Sequence, residues 1–278
     1  MKRKIQIASL LLAATLFTSN LQAAPQSAKA TKTTKPTARV SAAQKRLNEQ
    51  LSIAIIKNDL SKVKTLVSRG ANVNARSQDG IPVLHLATSG VGSVAITKFL
   101  LDKGALVNRA DNYGATSLID VAKSGEKNTA EITKLLLTRG ANVNAKDKVG
   151  GTAIYYAAIN GETTSVKLLA AAKANVNAAD EQGMTPLMMT ALFDEPEIAQ
   201  QLIQLGANLE AGNIIGETAL MRAIQSGNTR LVKILLNKGA NPLTWSASGE
   251  TPLSMAEARK QSDIIALLKA ALKKKGLS

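Results

Sequence analysis

Apolar residues return along this chain at intervals of three and four, in short bursts separated by polar turns. Val63, Leu66 and Val67 form one burst. Others are Ile132, Leu135 and Leu136; Val166, Leu168 and Leu169; and Val232, Ile234, Leu235 and Leu236. Spacing at i, i+3 and i+4 predicts helices with a single buried stripe. The bursts run into glycine at Gly70, Gly104, Gly140, Gly206 and Gly239, where a helix end favours positive φ. Ahead of the bursts lies a second helical signal. It is opened by Thr in Gly114-Ala115-Thr116-Ser117-Leu118, Gly150-Gly151-Thr152-Ala153-Ile154, Gly183-Met184-Thr185-Pro186-Leu187, Gly216-Glu217-Thr218-Ala219-Leu220 and Gly249-Glu250-Thr251-Pro252-Leu253. A Thr hydroxyl can accept a hydrogen bond at a helix N-terminus, and Pro suits the first helical position.

A five-residue phrase marks the end of each helix pair. It begins at Gly70, Gly104, Gly140, Lys173, Gly206 and Gly239, with steps of 34, 36, 33, 33 and 33 residues. The fullest copies read Gly-Ala-Asn-Val-Asn, as in Gly140-Ala141-Asn142-Val143-Asn144. A period near 33 is the mark of a stacked-repeat protein. Each unit reads as turn, helix, tight turn, helix, loop. One unit cannot cover its own apolar face, and stacking seven builds a continuous core.

Gly-x-Thr-Pro-Leu, then Ala, then Val-x-x-Leu-Leu, then Gly-Ala-Asn-Val-Asn resembles the ankyrin repeat, over about residues 47 to 273. The resemblance implies an all-α, ankyrin-type solenoid of helix–turn–helix units with protruding loop fingers. It implies a protein-binding surface, with loop tips as fingers and first helices as palm. The candidate partner-binding residues on that surface are Arg76, Arg109, Tyr113, Lys146, Lys148, Phe193, Ile214, Ile215 and Trp245. Early tips are basic and late ones apolar, and Trp, Tyr and Arg are usual interface anchors. Lys123, Asn160 and Gln225 fall on the palm. Three departures stand out. Ile81-Pro82-Val83 replaces the usual Thr motif, so His85 lacks the Thr that the family pairs with it. Lys173 stands where Gly should end a helix, at a cost of about 1 kcal/mol if the left-handed turn is kept. Asp120 and Arg222 replace apolar residues in first helices.

Composition narrows the chemistry. The 278 residues include no Cys and one His, His85. Disulfides, thiolate nucleophiles and multi-histidine metal sites are excluded. Asp147, Asp180 and Glu181 read as solvated loop tips, not as a paired acid and base. Met188, Met189, Met221 and Met255 fall at core positions and read as adaptable filling. No catalytic residue, cofactor or metal is expected, and no enzyme.

The net charge of +15 is uneven. Thirteen Lys and Arg lie in the tails, leaving twenty-two against twenty acids, about +2, in the repeats. Residues 1–23 read as a secretory signal peptide: Lys2-Arg3-Lys4, a thirteen-residue apolar run from Ile5 to Phe17, and cleavage near Ala23. Residues 24–46 read as a disordered basic linker, 47–273 as the repeat domain and 274–278 as a basic tail. The expectation is a monomeric, periplasmic or secreted scaffold for an unidentified protein. A secreted effector binding a host protein is a variant. A rival is an envelope tether holding anionic lipid or cell-wall polymer through the linker. No nucleic-acid binding is expected, because no aromatics are interleaved with the basic residues.

Overall fold

The computed structural model describes residues 41–89, 92–125 and 128–276. The expected signal peptide and most of the linker lie outside them, as do residues 90–91 and 126–127 of the two longer inter-helix turns. The described residues form fourteen helices in seven pairs. The first pair is α1 (Ala42–Ile56) and α2 (Leu60–Ser68). Then come α3 (Val83–Thr88) and α4 (Val94–Asp102), α5 (Ser117–Ser124) and α6 (Thr129–Thr138), and α7 (Ala153–Ile159) and α8 (Thr163–Ala171). The last three pairs are α9 (Pro186–Phe193) with α10 (Pro196–Gln204), α11 (Ala219–Gln225) with α12 (Thr229–Asn237), and α13 (Pro252–Ala258) with α14 (Ser262–Lys274). First helices pack on first helices of the next unit and second on second, giving two parallel layers.

The core repeats with the sequence. Leu66, Leu100, Leu136, Leu169, Leu202, Leu235 and Leu268 hold one position in successive units, each at most 2% exposed. Full burial of such a side chain contributes about 1.5–3 kcal/mol. Thr152, Thr185, Thr218 and Thr251 accept from the backbone N–H three residues on, as expected. Thr116 does not, and its hydroxyl is buried without a partner.

The recurrent phrase does more than end a helix. The Asn108 side-chain amide donates to the Gly140 carbonyl at 3.0 Å, and its Oδ1 accepts from the Asn142 N–H at 2.7 Å. Asn74, Asn144 and Asn177 repeat both bonds to the next unit. Glu210 keeps one of them, to the Asn241 N–H. The last Asn of each phrase thus staples its unit to the next. No phrase precedes the first unit, and α1 supplies the equivalents: Gln44 donates to Gly70 O and Asn48 accepts from Asn72 N. This is why the folded region starts earlier than the expected boundary of 46. Ser41 caps α1, and Lys45 and Arg46 belong to its first turns, not to a linker.

Lys173 keeps the left-handed turn at φ 68°, and its carbonyl still accepts from Asn144. The irregular copy therefore breaks neither the turn nor the staple. Lys173→Gly should stabilise the chain by about 1 kcal/mol by relieving the Cβ strain, read as a rise in the urea midpoint. No change would mean the turn has no strain to release.

Candidate functional site

The loops between units project as hairpin-like fingers, each pinned at its base. The Asp147 N–H donates to Gly151 O, while Asp147 Oδ1 accepts from the N–H groups of Val149 and Gly151. Asp111, Asp180 and Asn213 do the same in their fingers. Neighbouring fingers are joined by backbone bonds, Lys148 N to Tyr113 O, Glu181 N to Val149 O, Ile214 N to Gln182 O and Ala247 N to Ile215 O. Sequence separation hides these bonds, each of which spans a full unit.

The candidate residues divide into two groups. Arg76 donates to the carbonyl of Ala110 at 2.8 Å, Lys146 to that of Ala179 at 2.8 Å, and Arg109 to that of Asn74. These three cations hold one finger to its neighbour. Tyr113 (75% exposed), Ile214 (66%), Ile215 (49%) and Trp245 (68%) present their side chains to solvent, with Val149 beside them. Lys148 is exposed and free of side-chain partners among the described residues, while Phe193 is half-buried at the end of α9. Asn160 does not line the palm freely: its amide donates to the carbonyls of Ala122 and Lys123, closing the end of α5.

Beneath the fingers runs a polar network that the sequence reading missed. His85 is 1% exposed. Its Nε2 lies 2.7 Å from Arg109 O, and its Nδ1 lies 2.6 Å from Asp120 Oδ2. Asp120 therefore takes the place of the missing Thr. Both ring nitrogens face oxygen atoms within hydrogen-bond distance. In the next unit Asp147, expected as a solvated tip, is 8% exposed. Its Oδ2 accepts from Lys123 Nζ and Tyr156 Oη, both at 2.7 Å. Tyr155 Oη donates to half-buried Asp180 at 2.7 Å. Lys123 Nζ also sits 4.5 Å from the Tyr156 ring centroid, a cation–π contact. Arg222, the other odd inner residue, pairs with Glu217 at 2.9 Å.

His85, Asp111 and Asp120 bring possible ligand atoms within 4.8 Å of one another. The 2.6 Å contact between His85 and Asp120 is shorter than the ~3 Å separating two ligands that each stand about 2.0–2.2 Å from one ion. The cluster as built is a hydrogen-bonded pair with Asp111 alongside. An opening of about 530 Å³ lies between the helix-pair turns of the fifth and sixth units, lined by Asp194, Glu197, Asn228 and Arg230 among others. Glu197 is held below its usual range by its own backbone N–H and by Arg230, the wrong direction for a general acid.

Burial, then Asp180, pushes the Tyr155 hydroxyl well above the usual phenol range; burial, then Asp147, does the same for Tyr156. A raised folded value gives stability that is complete below the unfolded phenol value, about 10, and is lost as pH climbs beyond it. Stability should fall above pH ~10 by about 1.4 kcal/mol per pH unit for each tyrosine. Urea titrations between pH 9 and 11.5 check this against Tyr155→Phe/Tyr156→Phe, whose slope should be shallower by about twice that. Equal slopes would contradict it.

A family model described as ankyrin repeats (3 copies) matches residues 51–147, 121–213 and 206–275. Among solved structures, the human ASB11 ankyrin repeat domain is 30% identical, with a TM-score of 0.70. That match covers 80% of this chain and 96% of the other. The ankyrin repeat domain of Bcl-3, described as a unique member of the IkappaB protein family, is 26% identical at a TM-score of 0.69. It covers 79% of this chain and 97% of that one. No curated protein sequence matches the chain.

Proposed function

The chain belongs to the ankyrin-repeat family, a family of interaction modules, and from that premise we propose that it is an exported, non-catalytic scaffold whose fingers capture another protein. The observation that carries this reading is the set of exposed apolar side chains on four of five consecutive fingertips, Tyr113, Val149, Ile214 with Ile215, and Trp245, with Glu181 and Gln182 on the tip between Val149 and Ile214. The backbones of Tyr113, Val149, Ile214 and Ile215 are already fixed by finger-to-finger hydrogen bonds, so little ordering entropy remains there to oppose binding. Large apolar groups left in water on a rigid scaffold mark interaction sites. Arg76, Arg109 and Lys146 act indirectly, by holding the fingers in place. Lys148 stands on the row, whereas Phe193 lies at the far end of α9, next to the helix-pair turn.

Export follows from residues 1–23, with cleavage near Ala23 and a monomeric chain in the periplasm or medium. N-terminal sequencing of the exported chain should begin at Ala24. The surface is tested by affinity capture from the exported fraction with wild type, Trp245→Ala and Tyr113→Ala. A fully buried anchor costs about 2 kcal/mol or more when truncated, roughly thirtyfold in affinity. Loss of one and the same captured protein in both variants is expected. Undiminished capture in both would remove these residues from the site.

A further inference from the structure

The second helices carry charge that the fingertip reading leaves unused. They and their closing turns occupy residues 60–70, 94–104, 129–140, 163–173, 196–206, 229–239 and 262–275. These segments hold sixteen Lys and Arg against four Asp and Glu. The rest of the chain from residue 41 holds twelve against sixteen. Of the net +8 carried from residue 41 onward, the second-helix segments hold +12 and the remainder −4, so the positive charge is concentrated in the second-helix layer.

The sorting is in register. Lys64, Lys98, Lys134 and Lys167 each lie six residues before the closing position of their unit, in four consecutive units. Lys233 repeats the position after one interruption at Gln200. All five are exposed and make no hydrogen bond or ion pair among the described residues. A second row, Arg69, Lys103, Arg139 and Lys238, lies one residue before the closing glycine. Acids do little to offset them. Asp102 pairs with Arg139 at 2.8 Å and Glu197 with Arg230 at 2.6 Å. Glu131 and Asp263 sit in the first turns of α6 and α14, where the helix dipole already favours them.

We propose that the second-helix layer of the first four units is a docking surface for a linear polyanion, a chain carrying repeated phosphate or sulfate groups. One exposed cation per unit, held at a fixed repeat by the stack, matches a ligand whose charge recurs along its length. Each contact alone is weak and screened. A polymer engages them together and releases its condensed counterions. A lipid bilayer fits less well, because no large apolar side chain is exposed on α2, α4, α6 or α8 to enter it. The surface is separate from the fingertips, so it stands or falls independently of the protein-capture reading.

The test is fluorescence anisotropy with two labelled probes, polyphosphate of about a hundred units and heparin, on the full exported chain across a salt series. The row variant is Lys64→Glu/Lys98→Glu/Lys134→Glu/Lys167→Glu. The charge-matched control is Lys45→Glu/Arg46→Glu/Lys57→Glu/Lys260→Glu, also at exposed sites. Wild type and control should bind at least one probe, and which one identifies the anionic group. Losing four contacts should lower the slope of log K against log salt by about three, and affinity at 0.15 M by on the order of a hundredfold. Circular dichroism checks that the variants remain folded. No binding by wild type to either probe would overturn the proposal. So would equal loss in row variant and control, or anionic vesicles binding as tightly as the polymers.

Discussion

His85→Ala is expected to cost about 3 kcal/mol of stability, from orphaned hydrogen-bond partners together with a core cavity. The loss has three parts. Asp120 Oδ2 and Arg109 O each lose their imidazole partner, and a fully buried ring leaves a cavity. All three fall on the joint between the second and third units. Stacked repeats are stabilised by nearest-neighbour interfaces, so urea unfolding should broaden or split, with the first two units melting first. His85→Leu/Asp120→Leu replaces both partners with apolar groups and should recover most of the loss, as apolar replacement of buried pairs often does. A cost under 1 kcal/mol for His85→Ala would show that the pair does not hold the joint. A double variant no more stable than His85→Leu would do the same.

Gly183→Ala is expected to cost roughly 3 kcal/mol, and Gly249→Ala only about 1–2. The two glycines hold the same place in their fingers, at φ +73° and +79°. A Cβ on Gly183 would stand 2.9 Å from Asn213 Cα and 3.0 Å from Ile214 N, both backbone atoms of the next finger. A Cβ on Gly249 would meet nothing within 4 Å, because no finger follows it. The left-handed strain is common to both, so the difference isolates finger-to-finger contact. Gly150, with Glu181 N at 2.8 Å, should behave as Gly183 does. Paired urea titrations decide it. Equal costs at Gly183 and Gly249 would mean the fingers are not packed as described.

The scaffold was readable because its signals are local. Glycine after an apolar burst, Thr before a helix and Leu at one repeated position each act within a single unit. What was missed acts between units. Asn74, Asn108, Asn144 and Asn177 read as turn residues, yet each bonds to residues about one repeat away. Their recurrence at one position was the available clue, since a polar side chain repeated in register can ladder along a stack. The charge on Arg76, Arg109 and Lys146 looked like surface chemistry and instead tethers neighbouring fingers. Asp120 was visibly odd, but its partner lies in the preceding unit, 35 residues away. The helix start at Ala42 was hidden by a Lys- and Ala-rich stretch with no apolar period. Only Gln44 and Asn48, reaching the first phrase, explain why it is ordered.

The most direct test of capture at the fingertips is amine crosslinking of the full chain in the cell fraction that contains it, with the joined peptides identified by mass spectrometry. Lys148 stands on the row, its N–H bonded to Tyr113 O, and its side chain is exposed. Lys64, Lys98 and Lys134 lie on the opposite layer. The fingertip account predicts peptides of one partner protein joined to Lys148 in wild type and lost in Trp245→Ala. A partner joined to the lysines of α2, α4 and α6, and never to Lys148, would contradict it.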